Sequence, residues 1–142
     1  MSQEKYSIAE ILDIAANTHL KKEKIAFLRK HDSMPVRNIL AGMYDSKRLK
    51  PMLPSDEPPY KPNPNRQAYA VLFRESRKLK YFFEGYSSGN ITTIKREALF
   101  IEMLENVRED DAKLLIRMIQ QKPIKGLTKE VINEAYGEII TG

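Results

Sequence analysis

The chain has 142 residues, 42% hydrophobic and 30% charged, with a formal net charge of +5 and a pI near 9.3. That length suits one domain with its own core, and the composition is that of a folded globular protein rather than a disordered one. There are no cysteines, which excludes disulfides, thiolate metal sites and a cysteine nucleophile, and no run approaches the 18 apolar residues of a membrane span.

The chain opens in a polar stretch with no secretory apolar core, so a cytoplasmic setting is expected. Ser7-Ile-Ala-Glu10 is a capping box, and Ile8, Ile11, Leu12 and Ala15 follow at helical spacing, predicting a first helix to about Asn17. Lys21 to His31 predicts a second helix around Ile25 and Leu28. Ser33 and Pro35 mark a third start, because proline is favoured in the first helical turn. Val36, Ile39, Leu40 and Met43 form its stripe, which ends near Asp45.

Between Leu49 and Asn65 the character changes. Pro51, Pro54, Pro58, Pro59, Pro62 and Pro64 remove amide donors and forbid helix, so an extended loop is expected, with Leu53 and Tyr60 as anchors onto the body. Helix returns from about Arg66 to Glu84, with a break near Ser76 and a stop at Gly85. Ser87-Ser-Gly-Asn90 reads as a turn. Thr93 opens a fifth helix, Glu109 or Asp110 a sixth and Thr128 a seventh. No segment alternates as a strand would. The expected fold is all-α, one domain of about seven helices over residues 1–142, with a proline-rich loop.

Charge is unevenly spread. Residues 47–80 hold nine Lys/Arg against three acids, whereas residues 97–111 hold six acids against Arg108 alone. The first region suits a polyanion, and the second repels one or meets a basic protein.

Motifs of chemistry are missing. There is no phosphate-binding Gly-x-x-x-x-Gly-Lys-Ser/Thr loop, no Gly-x-Gly-x-x-Gly and no Gly-x-Ser-x-Gly elbow around Ser87 and Ser88. His19 and His31 stand on different helices without carboxylates at ligand spacing and read as helix-end polar residues. Glu109, Asp110 and Asp111 suit the dipole at a helix start better than a divalent ion, since consecutive helical side chains diverge. The residues point to no enzyme, no cofactor and no metal.

The segment 120–129 stands out. A helix ends in the basic turn Lys122-Pro-Ile-Lys125-Gly126-Leu-Thr128-Lys129, after which another helix begins. Gly126 lets backbone approach a ligand closely, Thr128 caps a helix whose first amides point outward, and Lys122, Lys125 and Lys129 supply positive charge. That pattern suits a phosphate grip. The plainer reading is that Gly126 closes one helix and Thr128 opens the next.

The order of these features resembles the N-terminal helical DNA-binding domain of ATP-dependent DNA ligases, particularly the T-even phage type. The similar parts are a first helix of the form Ile-x-x-Ile-Ala, the lysine-rich Lys21-Lys-Glu-Lys-Ile-Ala-Phe-Leu-Arg-Lys30, and the helix from Val36 to Tyr44. The closing hairpin is similar too, with Asp111-Ala-Lys-Leu-Leu-Ile-Arg117 and Lys125-Gly-Leu-Thr-Lys-Glu-Val-Ile-Asn-Glu-Ala135. The resemblance covers residues 7–45 and 92–140. The proline-rich segment has no counterpart, and the Lys-x-Asp-Gly of adenylylation is missing. What it implies is the DNA-gripping module without the chemistry, in a small protein of T-even-like phages, some of which are thought to associate with RNA polymerase.

Two functions are therefore expected as alternatives. In the first, the protein is a non-catalytic accessory factor of phage replication or transcription. It binds duplex DNA by phosphate contacts from Lys122, Lys125, Gly126, Thr128 and Lys129, joined by Arg74, Arg77, Lys78, Lys80, Lys95 and Arg96. In the second it is an adaptor docking on RNA polymerase or the replication machinery. Its contacts are then the proline-rich segment and the acidic run Glu97, Glu102, Glu105, Glu109, Asp110 and Asp111; the stripe Glu130, Glu134 and Glu138 beside the grip favours this reading.

Overall fold

The structure, a computed structural model, describes residues 5–84 and 91–140. It is all-α in character, with seven α-helices among the described residues: α1 (Ile8–Asn17), α2 (Lys21–Lys30), α3 (Met34–Tyr44), α4 (Val71–Glu75), α5 (Thr93–Asn106), α6 (Glu109–Ile119) and α7 (Lys129–Tyr136).

The ends of these helices follow from local chemistry. Ser7 accepts the amide of Glu10 while the Glu10 carboxylate accepts that of Ser7, so two orphan donors of α1 are satisfied reciprocally. Ser33 caps α3 with Pro35 in its first turn, and Thr128 caps α7 through the amide of Val131. The fifth and sixth helices begin at Thr93 and Glu109 as expected, and their caps lie one residue earlier. Thr92 caps α5, and Arg108 precedes α6, whose first turn holds Glu109, Asp110 and Asp111.

The expected helix over 66–84 is a composite. A 3-10 helix at Ala68–Ala70 leads into the five-residue α4, and a second 3-10 helix, Ser76–Tyr81, follows. The change comes at Ser76, whose hydroxyl donates to the Phe73 carbonyl at 3.1 Å and so competes with the α-helical pattern. Gly85 and the Ser87–Asn90 turn lie outside the described residues. Two short strands, β1 (Lys50–Pro51) and β2 (Phe83–Glu84), pair antiparallel with Lys50 opposite Glu84. Sequence reading found no strand because two residues are too few to alternate.

One hydrophobic cluster draws on every α-helix. Ile8 and Leu12 of α1, Leu28 of α2, Ile39, Leu40 and Met43 of α3, Leu72 of α4, Met103 and Leu104 of α5 and Leu115 of α6 are fully buried, while α7 adds Val131 and Ile132. Truncating one of these leucines to alanine removes roughly 2–5 kcal/mol. The helices pack as α1 on α2 and α6, α2 on α7, α3 on α6 and on the 3-10 segment, and α5 on α6.

The proline-rich loop is bound to the body. Leu53 and Tyr60 pack on the core as expected. The amide of Lys61 donates to Glu105 at 2.8 Å, the side chain of Asn63 to the Asn106 carbonyl at 3.0 Å, and that of Gln120 to the Ser55 carbonyl at 3.0 Å. These side chains replace the ladder that prolines cannot join.

Candidate functional site

The basic turn leaves α6 through Gln121, whose φ of 52° is left-handed. That strain is supported by its side-chain amide, which donates to the carbonyls of Gly42 and Leu49 at 3.1 and 2.8 Å. Arg117 donates to the carbonyls of Lys122 and Pro123, and the Tyr44 hydroxyl accepts the Ile124 amide and donates to the Leu127 carbonyl, both at 2.8 Å. The backbone from 122 to 127 is thus held from inside by Arg117 and Tyr44.

Gly126 has φ +97°, and a Cβ there would stand 2.3 Å from the Ala16 carbonyl oxygen. Its missing side chain admits the end of α1, not a ligand. Lys24 completes the junction by donating to the carbonyls of both Ala16 and Gly126. The expectation that Gly126 offers close backbone approach to a phosphate is therefore corrected: the approach is internal. Thr128 is exposed and caps α7, and Lys122, Lys125 and Lys129 are exposed around it.

The other expected phosphate contacts divide. Arg74, Arg77 and Lys95 are exposed. Lys78 is half-buried and paired with Glu75 at 2.9 Å, and Lys80 lies over the Tyr81 ring at 5.3 Å. Arg96 is 5% exposed and donates to the carbonyls of Tyr81 and Ile91 at 2.7 and 3.0 Å. It joins the backbone on either side of residues 85–90 and is not a surface cation. Assigning it to DNA overlooked its spacing: Arg96, Phe100 and Met103 share the inward stripe of α5.

The acidic run divides likewise. Glu97, Glu102 and Glu109 are exposed, and Glu105, also exposed, holds the Lys61 amide. Asp110 accepts the Ser7 hydroxyl at 2.7 Å and pairs with Arg108 at 3.2 Å, and Arg108 also reaches Glu10 at 3.1 Å. Asp111 is wholly buried, with one carboxylate oxygen accepting the Ala9 amide at 2.8 Å and the other, Oδ2, without a hydrogen-bond partner. Desolvation pushes its pKa up to about 7; the Ala9 amide and Arg108 oppose this, while Asp110 and Glu10 add to it. Asp110 and Asp111 thus join the starts of α1 and α6, and Asp111, being buried, does not face a partner.

On α7, Lys21 bridges Glu130 and Glu134, so two of the three stripe acids are paired. His31 ends α2 with its ring against Phe27 and Tyr6, at centroid distances of 4.5 and 5.5 Å. Among the described residues no group of three His, Cys, Asp or Glu is placed to hold a metal, and no helix is long and apolar enough to cross a membrane.

A feature that sequence reading did not assemble lies between the proline-rich loop and α5. A cleft of about 320 Å³ is lined by Leu53, Pro54, Pro58 and Pro59 on the loop side and by Phe100 and Ile101 on α5. Asp56, Glu57 and Glu97 also line it and are exposed. The proline-rich segment and the first residue of the acidic run, Glu97, thus meet at one cleft, which the other five acids of that run do not line. No curated protein and no solved structure matches the chain. The sequence pattern of DUF6433, a family of unknown function, matches residues 11–125, and the chain belongs to that family.

Proposed function

We propose that this protein is a non-catalytic accessory factor that docks on a partner protein through the face formed by α5 and the proline-rich loop. The observation that carries the reading is the apolar cleft with exposed acids, where both segments meet. The weakening of the DNA grip supports it: Gly126 faces Ala16, Arg96 is buried and Lys78 is paired. RNA polymerase and the replication machinery are the partners suggested by the resemblance to the phage ligase module. The test is site-specific photocrosslinking in the source cells, with the photoreactive residue at Glu102 on α5, at Glu57 on the loop, or at Lys30 on α2. Protein adducts from the first two positions, surviving nuclease and missing at Lys30, are expected. Adducts that vanish with nuclease, or form equally at Lys30, overturn the reading.

Duplex DNA remains a second reading, favoured by the exposure of Lys122, Lys125 and Lys129 around the Thr128-capped start of α7. Three phosphate contacts give a log–log salt slope of about −2.7, so affinity falls roughly 40-fold between 50 and 200 mM salt. Lys125→Glu with Lys129→Glu should flatten that slope. Unchanged duplex binding in the double variant removes the turn from consideration.

A further inference from the structure

The docking face has a more specific chemistry. We infer that the cleft between the proline-rich loop and α5 receives a short segment of a partner protein carrying one or two bulky apolar side chains flanked by lysine or arginine. This rests on the docking reading above and adds the identity of what docks.

Volume sets the first limit. About 320 Å³ accommodates one or two large side chains, not the whole flank of a helix. The floor is apolar, made by Phe100, which is buried in the core, and half-buried Ile101. An apolar group entering it leaves water without leaving a polar group unpaired.

The second limit is the backbone of the loop wall. Pro54, Pro58 and Pro59 have no amide hydrogen, so this wall is a poor edge for the regular reciprocal bonds of strand addition. Recognition therefore falls mainly to side chains. The wall is already held in place by Glu105, Asn63 and Gln120, so little ordering entropy remains to be lost on binding.

Charge sets the third. Glu97, Ile101 and Glu105 stand four residues apart and share one face of α5, so the apolar position has a carboxylate on either side. Asp56 and Glu57 add negative charge from the loop. On a chain whose net charge is +5 this is an acidic island. It repels nucleic acid and attracts a segment whose own order is basic, apolar, basic.

The experiment uses the full chain and a fluorescein-labelled peptide, Lys-Arg-Leu-Phe-Lys-Arg, followed by anisotropy in about 0.1 M salt, where charges beyond roughly 10 Å are screened. Two control peptides replace Leu-Phe by Ser-Ser, or the four cations by glutamates. The expected result is saturable binding of the first peptide, at least about tenfold weaker binding of the serine peptide, and none of the acidic one. Glu57→Lys with Glu97→Lys, both exposed, should weaken binding by about tenfold with an unchanged circular dichroism spectrum. Amide shifts on titration should cluster at residues 53–59 and 97–101. Equal binding of the serine peptide, shifts centred elsewhere, or no binding of the first peptide up to about 1 mM overturns the inference. Failure of the peptide with persistent crosslinks from Glu102 removes this occupant but leaves the docking reading. Loss of the crosslinks with peptide binding intact removes the docking reading instead.

Discussion

Asp111→Asn should remove a pH dependence of stability that the wild type shows near neutrality. Asp111 is wholly buried between the starts of α1 and α6, among Glu10, Arg108 and Asp110. Its carboxyl pKa rises from 3.8 to about 7 on folding, so the folded state holds the proton more tightly. Stability is complete below the lower value and is lost as pH climbs towards the higher one, at about 1.4 kcal/mol per pH unit, or roughly 4 kcal/mol in all. Between pH 5 and 8 the loss is about 2–3 kcal/mol. Asparagine keeps an oxygen for the Ala9 amide and similar volume but does not titrate. Urea unfolding of both proteins at pH 5 and 8 isolates the group and its coupling to Asp110, Glu10 and Arg108, because the titrations of groups not coupled to it cancel in the difference. The wild type should lose about 2–3 kcal/mol relative to Asp111→Asn over that interval. Parallel stability profiles, or a carboxyl carbon resonance of Asp111 titrating near 4, would refute the reasoning.

Three further outcomes are expected. Gly126→Ala should destabilise by at least about 2 kcal/mol in chemical denaturation, through the positive φ and the clash with the Ala16 carbonyl, and a neutral result would show that the 124–127 turn readily repacks. Arg96→Ala should cost about 2–4 kcal/mol by leaving the Tyr81 and Ile91 carbonyls without their charged donor, whereas a surface cation would show under about 0.5 kcal/mol by the same assay. Tyr44→Phe should cost about 1–3 kcal/mol and speed hydrogen exchange at the Ile124 amide, which loses its acceptor; unchanged exchange there would refute the role given to the hydroxyl.

Local signals were the most legible in the sequence. Ser7 with Glu10, Ser33 with Pro35, and Thr128 each act within four residues, so their helices start where the sequence says. The 66–84 segment was not legible in detail, because its change of helix type turns on a hydroxyl and on pairing with residue 50 or so, far away in sequence. The candidate site was half legible. Its two walls were singled out, but their meeting depends on bonds spanning 43 to 65 residues. Formal charge misled where periodicity was the better guide. Asp111, Leu115 and Met118 share a buried stripe, as Arg96, Phe100 and Met103 do, and in each the charged residue follows its apolar neighbours inward.

The packing of α7 on α2 bears on how the chain is made. The Tyr136 hydroxyl donates to the Leu28 carbonyl, and Arg29 reaches the carbonyls of Glu134 and Ala135, across more than a hundred residues. During synthesis α2 therefore emerges with α1 to pack on but well before α7, its other cover, exists. A contact of such separation is slow to find. The nascent chain is consequently sticky for most of translation, and a chaperone that shields α2 should raise its yield more than one that acts on the finished protein.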